Sequence, residues 1–149
     1  MRLQAEQDID AAPSAVFRFV ATDHLANHPK WDPAVLEMTS TSPGPLQPGT
    51  TARVVRSDRG RRVEGSLTVI EYEPDAHFAA ATEFGPLRLQ QRVTCAATTH
   101  GGTHLTLTID TQARGPLGVL LPLLRRRFLR TMRGSLKAIK RHVEGGPSH

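Results

Sequence analysis

The chain has 149 residues, of which 38% are hydrophobic and 22% charged, with a formal charge of +5 and a single cysteine. That is enough apolar material for one core, and it excludes a disordered chain, an intrachain disulfide framework and a cysteine-based zinc site. No apolar run approaches the ~18 residues of a membrane-spanning helix and the N-terminus lacks a signal-peptide core, so the expectation is a soluble cytoplasmic protein.

Charge is distributed unevenly. From Arg114 onward seven Arg and two Lys stand against one Glu, while the residues before are net acidic. The positive excess therefore sits on the last predicted helix and its approach.

In chain order, Arg2 to Asp10 alternates, with Leu3, Ala5, Gln7 and Ile9 on one face, which predicts a half-buried strand. Pro13 suits a first helical position, and Val16, Phe17 and Val20 follow at helical spacing, predicting a short helix to Thr22. Asp23 is placed to cap a second helix through about Asn27, after which Pro29 and Pro33 bracket Trp31 in an extended corner. Strands are predicted over Val35 to Thr41, Thr50 to Ser57, Arg62 to Tyr72, His77 to Glu83, Leu87 to Ala97 and Thr103 to Thr111, with Pro- and Gly-rich breaks between them.

Leu117 to Glu144 reads as one long amphipathic helix. Leu117, Leu121, Leu124, Phe128, Met132, Leu136, Ile139 and Val143 form its apolar stripe; Arg126, Arg130, Arg133, Lys137 and Arg141 lie opposite. The order predicts an α+β fold: a seven-stranded curved antiparallel sheet wrapped around a long C-terminal helix, with two short helices after the first strand. A single domain over 1–144 is expected, followed by a short disordered tail at 145–149.

Several stretches carry a resemblance. They are "DIDAAPSAVFRFVATDHLANHPKWDP", "PGT" at Pro48 to Thr50, "LTVIEYEPDAHFA" from Leu67, "GGTHLTLTI" from Gly101 and "RTMRGSLKAIKRHVE" from Arg130. Together they resemble the START-like, or SRPBCC, superfamily, and more narrowly the proteins labelled polyketide cyclase/dehydrase. The resemblance implies a helix-grip fold with a deep apolar cavity for a lipid, polyketide, quinone or sterol-like ligand, held without a cofactor. In the aromatase/cyclase branch it implies an arginine and a tyrosine acting on the substrate. Here the arginine position falls near Glu71 or Tyr72, and Met38 stands among the residues replacing the tyrosine, which weakens an enzymatic reading.

Small residues expected to face inward, Ala5, Ala52, Gly65, Ala79, Ala81 and Ala97, leave space on a concave sheet. The predicted pocket walls are Phe17, Val20, Trp31, Val54, Leu67, Phe78, Phe84, Leu89, Leu107, Phe128 and Met132. Gln7 and Gln91 share strand faces with apolar residues and are the best polar candidates for ligand contact. Ser135 interrupts the helix stripe and could meet either a ligand or a glutamine. Arg53, Glu83, Arg88 and His104 are further polar candidates inside the sheet. Tyr72, Glu71 and His77 are candidates for proton transfer if the protein is a polyketide cyclase or dehydratase.

His24 and His28 have metal-ligand spacing but no third ligand, so a solvent-facing pair and no metal site are expected. The basic helix face suggests an anionic membrane surface as a partner, encouraged by the apolar run just before it, whereas no nucleic-acid motif is visible. A monomer or homodimer is expected.

Overall fold

The structure, a computed structural model, describes residues 1–145, so the expected tail lies outside the described residues except for Gly145. Seven strands form one antiparallel sheet: β1 (Arg2–Ile9), β2 (Val35–Ser40), β3 (Thr51–Asp58), β4 (Arg61–Glu73), β5 (His77–Phe84), β6 (Leu87–Ala97) and β7 (Thr103–Ala113). Their order is β1-β7-β6-β5-β4-β3-β2, so β1 and β2 are the two edges. Between them in sequence come α1 (Pro13–Phe17), continued by a π-helical turn over Arg18–Thr22, and α2 (His24–Trp31). After β7 the chain forms α3 (Pro116–Leu120), a 3-10 turn over Leu121–Leu124 and α4 (Arg125–Glu144).

This is the helix-grip arrangement. Met132, Leu136 and Ile139 of α4 are buried with Leu3, Val93, Leu105 and Leu107 of the sheet. Each such side chain removed from water contributes about 1.5–3 kcal/mol. Arg126, Arg130, Arg133, Lys137 and Arg141 lie on the exposed face of α4.

The C-terminal helix is shorter than its periodicity suggests. Pro122 lacks the N–H needed to extend the helical ladder, and the backbone tightens into the 3-10 turn before α4 starts. On that approach Leu121 is buried, whereas Val119 and Leu123 are 76% and 79% exposed. The corner around Trp31 also differs from expectation. α2 continues through Pro29 to Trp31, because a proline in the last turn forfeits only one backbone bond while Asp32 N–H still closes on His28 O at 3.0 Å. Asp23 stands at the N-cap of α2 without a side-chain capping bond.

Strand register corrects the inventory of small inward residues. Phe78, Ala80 and Thr82 pair with Val93, Gln91 and Leu89 on the concave face, so Ala79 and Ala81 point the other way. Ala97 lies on the exposed end of β6. Gly65 does face inward, opposite Val54, but its space is taken: an added Cβ would lie 2.5 Å from the Phe84 ring and clash with the Glu83 carbonyl. A bulge between Val69 and Glu71 resets parity on β4. It turns Glu71 outward opposite Ala79 and brings Tyr72 inward opposite Phe78.

Candidate functional site

A partly enclosed pocket of about 120 Å³ lies between the concave sheet and α4. Trp31, Val54, Leu67, Phe84 and Leu89 line it, together with Gln91, Leu107, Phe128, Met132 and Ser135. The other four residues expected at the ligand lie elsewhere. Phe17, Val20 and Phe78 are fully buried in the core under α1 and its π-helical continuation. That end of the sheet is packed solid: the Tyr72 ring meets Phe17 edge-on at 5.5 Å and Phe78 at 6.4 Å. Gln7 opens onto a separate outer groove of about 420 Å³ between β1 and α4, edged by Glu6, Arg133 and Lys137, and its amide donates to the neighbouring Asp8 carbonyl at 3.1 Å.

The residues considered for proton transfer do not line the pocket. The Tyr72 hydroxyl bonds to Thr22 Oγ1 at 3.0 Å. Glu71 lies on the outer sheet face, where Arg92 Nη2 donates to it at 3.0 Å and holds its carboxyl below the usual range. His77 sits between Glu71 and Glu73 at 3.5 and 3.4 Å. Arg53, Glu83, Arg88 and His104 also engage in ion pairs, with Glu64, Arg88, Glu83 and Asp8 respectively.

His24 and His28 are not solvent-facing: they are 1% and 6% exposed. Together with Trp31, Asp32 and Arg56 they build a buried polar cluster, of which His28, Trp31, Asp32 and Arg56 reach the pocket. His28 Nε2 lies 3.7 Å from Asp32 Oδ2, and Arg56 Nη1 donates to the same oxygen at 3.2 Å. The Ala34 amide donates to Asp32 Oδ1 at 3.1 Å. Burial pushes the Asp32 carboxyl up, but His28, Arg56 and the Ala34 amide outweigh it and bring it down to about 2. Burial lowers His28, against the upward pull of Asp32. Burial also lowers His24, reinforced by His28, to about 3 despite its bond to the Val20 carbonyl. Both imidazoles are thus neutral near pH 7 and Asp32 is ionised.

Four buried side-chain atoms have no hydrogen-bond partner among the described residues: His24 Nε2, His28 Nδ1, Trp31 Nε1 and Gln91 Nε2. Three of the four belong to residues of the pocket wall. Leaving such a group unpaired costs about 1–3 kcal/mol.

The sequence carried signals for this cluster. His24, His28 and Asp32 recur at intervals of four, one face of a helix, and Arg56 shares strand parity with the inward Ala52 and Val54.

The family model for polyketide cyclase/dehydrase and lipid transport proteins matches residues 1–144. The chain belongs to that family. Among solved structures, members of the same fold include a START superfamily protein from Mycobacterium smegmatis, 15% identical with a TM-score of 0.79 over 97% of each chain. A protein from Thermus thermophilus is 19% identical with a TM-score of 0.79, over 99% of this chain and 100% of its own. The ZhuI aromatase/cyclase from Streptomyces sp. R1128 is 15% identical with a TM-score of 0.77, over 97% of this chain and 93% of its own. At such identities these likenesses establish the fold. No curated protein matches the sequence. Among the described residues, no helix is long and apolar enough to cross a membrane.

Proposed function

We propose that this protein binds a compact hydrophobic or amphipathic molecule in the pocket between sheet and α4, without covalent chemistry. The observation that carries this is the composition of the wall: mostly apolar, with a few polar residues, among them His28, Asp32, Arg56, Gln91 and Ser135. An apolar wall with a few fixed polar groups is the usual make-up of a small-molecule site. A volume of about 120 Å³ falls below the ~300–1,000 Å³ of sites for drug-sized ligands, and favours a molecule of one or two rings. It also favours binding over the alternative, a cyclase or dehydratase working on an extended poly-ketone. Tyr72, Glu71 and His77, the candidates for that chemistry, are not among the residues that line the pocket.

The test is extraction of the purified protein with organic solvent and mass spectrometry of what is released. A stoichiometric apolar or amphipathic compound is the expected result. Empty protein that accelerates ring closure of a poly-β-ketone would reverse the reading.

Docking on an anionic membrane is a second reading, favoured by the exposed Val119, Leu120 and Leu123 immediately before Arg125, Arg126 and Arg127. Apolar side chains to insert and guanidiniums to meet lipid phosphates form the pair of features an interfacial segment uses. The protein is expected to co-sediment with vesicles containing phosphatidylglycerol, and the triple variant R126E/R130E/R133E to lose that binding. Vesicle binding absent from the wild type, or unaltered in the variant, removes this reading.

A further inference from the structure

The outer edge of β1 is covered at its ends and open in its middle. Met1 and Thr111 exchange both backbone bonds, the Met1 amine donating to the Thr111 carbonyl at 2.6 Å and the Thr111 amide to the Met1 carbonyl at 2.7 Å. In an antiparallel pair such exchanges recur at every second residue. Leu3, Ala5, Gln7 and Ile9 therefore bond to β7, while Arg2, Gln4, Glu6 and Asp8 turn their N–H and C=O groups away from the sheet. α4 runs along this edge. Arg125 Nη1 donates to the Arg2 carbonyl at 3.5 Å and Lys140 Nζ to the Asp8 carbonyl at 3.3 Å, and the Asp10 amide donates to Glu144 Oε2 at 2.8 Å. From Arg2 to Asp8 and from Arg125 to Lys140 strand and helix each advance about 20 Å, so the two keep pace. Between those clamps, no group among the described residues bonds to the outward N–H and C=O of Gln4 and Glu6. An open edge of this kind is a template for another extended chain.

We infer that Gln4 to Glu6 receives an extended acidic segment of a partner protein, added to the sheet beyond β1 and held by two cations of α4. The outer groove of about 420 Å³ lies at this opening, lined by Gln4, Ala5 and Glu6 on the strand and by Arg133, Leu136 and Lys137 on the helix. Gln4 and Glu6 supply donors and acceptors along one line, which is the pattern an added strand uses. Arg133 and Lys137 stand one turn apart, about 6 Å along the helix axis, and every second side chain of a strand recurs at about 6.6 Å, so alternate carboxylates of the added strand meet the two cations in step. Neither cation forms an ion pair among the described residues, whereas Lys140 on the same helix is held by Glu144. The Glu6 carboxylate lies 3.5 Å from His104 Nε2 on the outer sheet face. A second copy of this chain would satisfy the same backbone groups, Gln4 pairing with Glu6 of that copy across a two-fold axis at Ala5. It would also bring two basic α4 helices together, each on a chain of charge +5. Charge therefore favours an acidic partner over self-pairing.

The experiment titrates the full chain with short fluorescein-labelled peptides in which glutamate alternates with valine, threonine or tyrosine, followed by fluorescence polarisation and by amide-proton NMR. At least one of these peptides is expected to bind and to slow hydrogen exchange at the Gln4 and Glu6 amides by about tenfold or more, since each amide gains a bond. N-methylation of alternate peptide amides, made in both registers, weakens binding about tenfold or more in at least one of them. Replacing glutamate by lysine in the peptide abolishes binding, and so does the exposed pair of changes Arg133→Glu and Lys137→Glu in the protein. Failure of all the acidic peptides to bind overturns the inference. Binding that survives methylation in both registers, or that leaves exchange at Gln4 and Glu6 unaltered, overturns it as charge adsorption alone. Protection of these amides without peptide, together with a dimer mass in analytical ultracentrifugation, overturns it in favour of a second copy on the edge.

Discussion

Replacing His24 by Phe tests whether buried neutral histidines set this protein's limit in acid. His24 lies 4.9 Å from the Phe78 ring and 4.6 Å from His28, and its Nδ1 bonds to the Val20 carbonyl at 2.9 Å. The folded state protonates it only near pH 3, against 6.5 for a free imidazole. Between those values the unfolded chain holds a proton that the folded one lacks, so stability falls as pH drops through the window. One full proton of difference costs about 1.4 kcal/mol per pH unit, and descending from about pH 6.5, where the unfolded imidazole is half protonated, to pH 4.5 removes roughly 2 kcal/mol. That is a large share of the ~5–15 kcal/mol on which a folded domain rests. His28, lowered by its own burial, adds in the same direction. Phenylalanine keeps a ring against Phe78 but loses the bond to Val20, worth about 1 kcal/mol. The variant is therefore expected to be less stable than the wild type near pH 7.5 and more stable below about pH 5.5. Urea midpoints followed by far-UV circular dichroism from about pH 8 to pH 4 would show the two curves crossing. Parallel curves would refute the assignment of the acid limit to His24.

Three further outcomes follow from packing. Gly65→Ala drives a methyl into Phe84 and the Glu83 backbone, and is expected to cost about 1–3 kcal/mol, lowering the melting temperature by roughly 2–12 °C; an unchanged melting curve would mean that β4 and β5 part freely at this point. Phe78→Ala, at a side chain with no exposure, should destabilise by about 3–5 kcal/mol in denaturant titration, and a loss under about 1 kcal/mol would show that the neighbouring aromatics collapse into the space. Burial, with Asp75 adding to it, pushes the Cys95 thiol up to about 12. It should resist a thiol-specific reagent in the native state near pH 8 and react fully in urea, so rapid labelling of the native protein would contradict its burial.

The strand plan is legible because alternation is a local property. Leu87, Leu89, Gln91, Val93 and Cys95 lie on one face of β6 as their spacing predicts, and Leu105 and Leu107 do so on β7. Periodicity fails where the chain departs from an ideal element. A bulge at Ile70 inverts the faces of Glu71 and Tyr72, and no residue preference announces it. Pro122 is visible in the sequence, yet the apolar stripe carries straight across it; the structure gives precedence to the missing N–H. The histidines defeat local reading for a related reason. Their i, i+4 spacing places them on one face of α2 but says nothing about whether that face meets water or the sheet.

The sheet, its order of elements, the gripping helix and its basic outer face are legible in the chain, since all of these follow from backbone geometry and side-chain period. Packing between distant elements fixed where empty space remains. Phe84 fills the room that Gly65 leaves, while Phe17, Phe78 and Tyr72 close one end of the sheet. It also decided which buried polar atoms go unpaired, because a hydrogen bond is satisfied or not by every neighbour at once. His28, Trp31 and Gln91 come from two distant stretches of the chain, and folding brings them to one pocket.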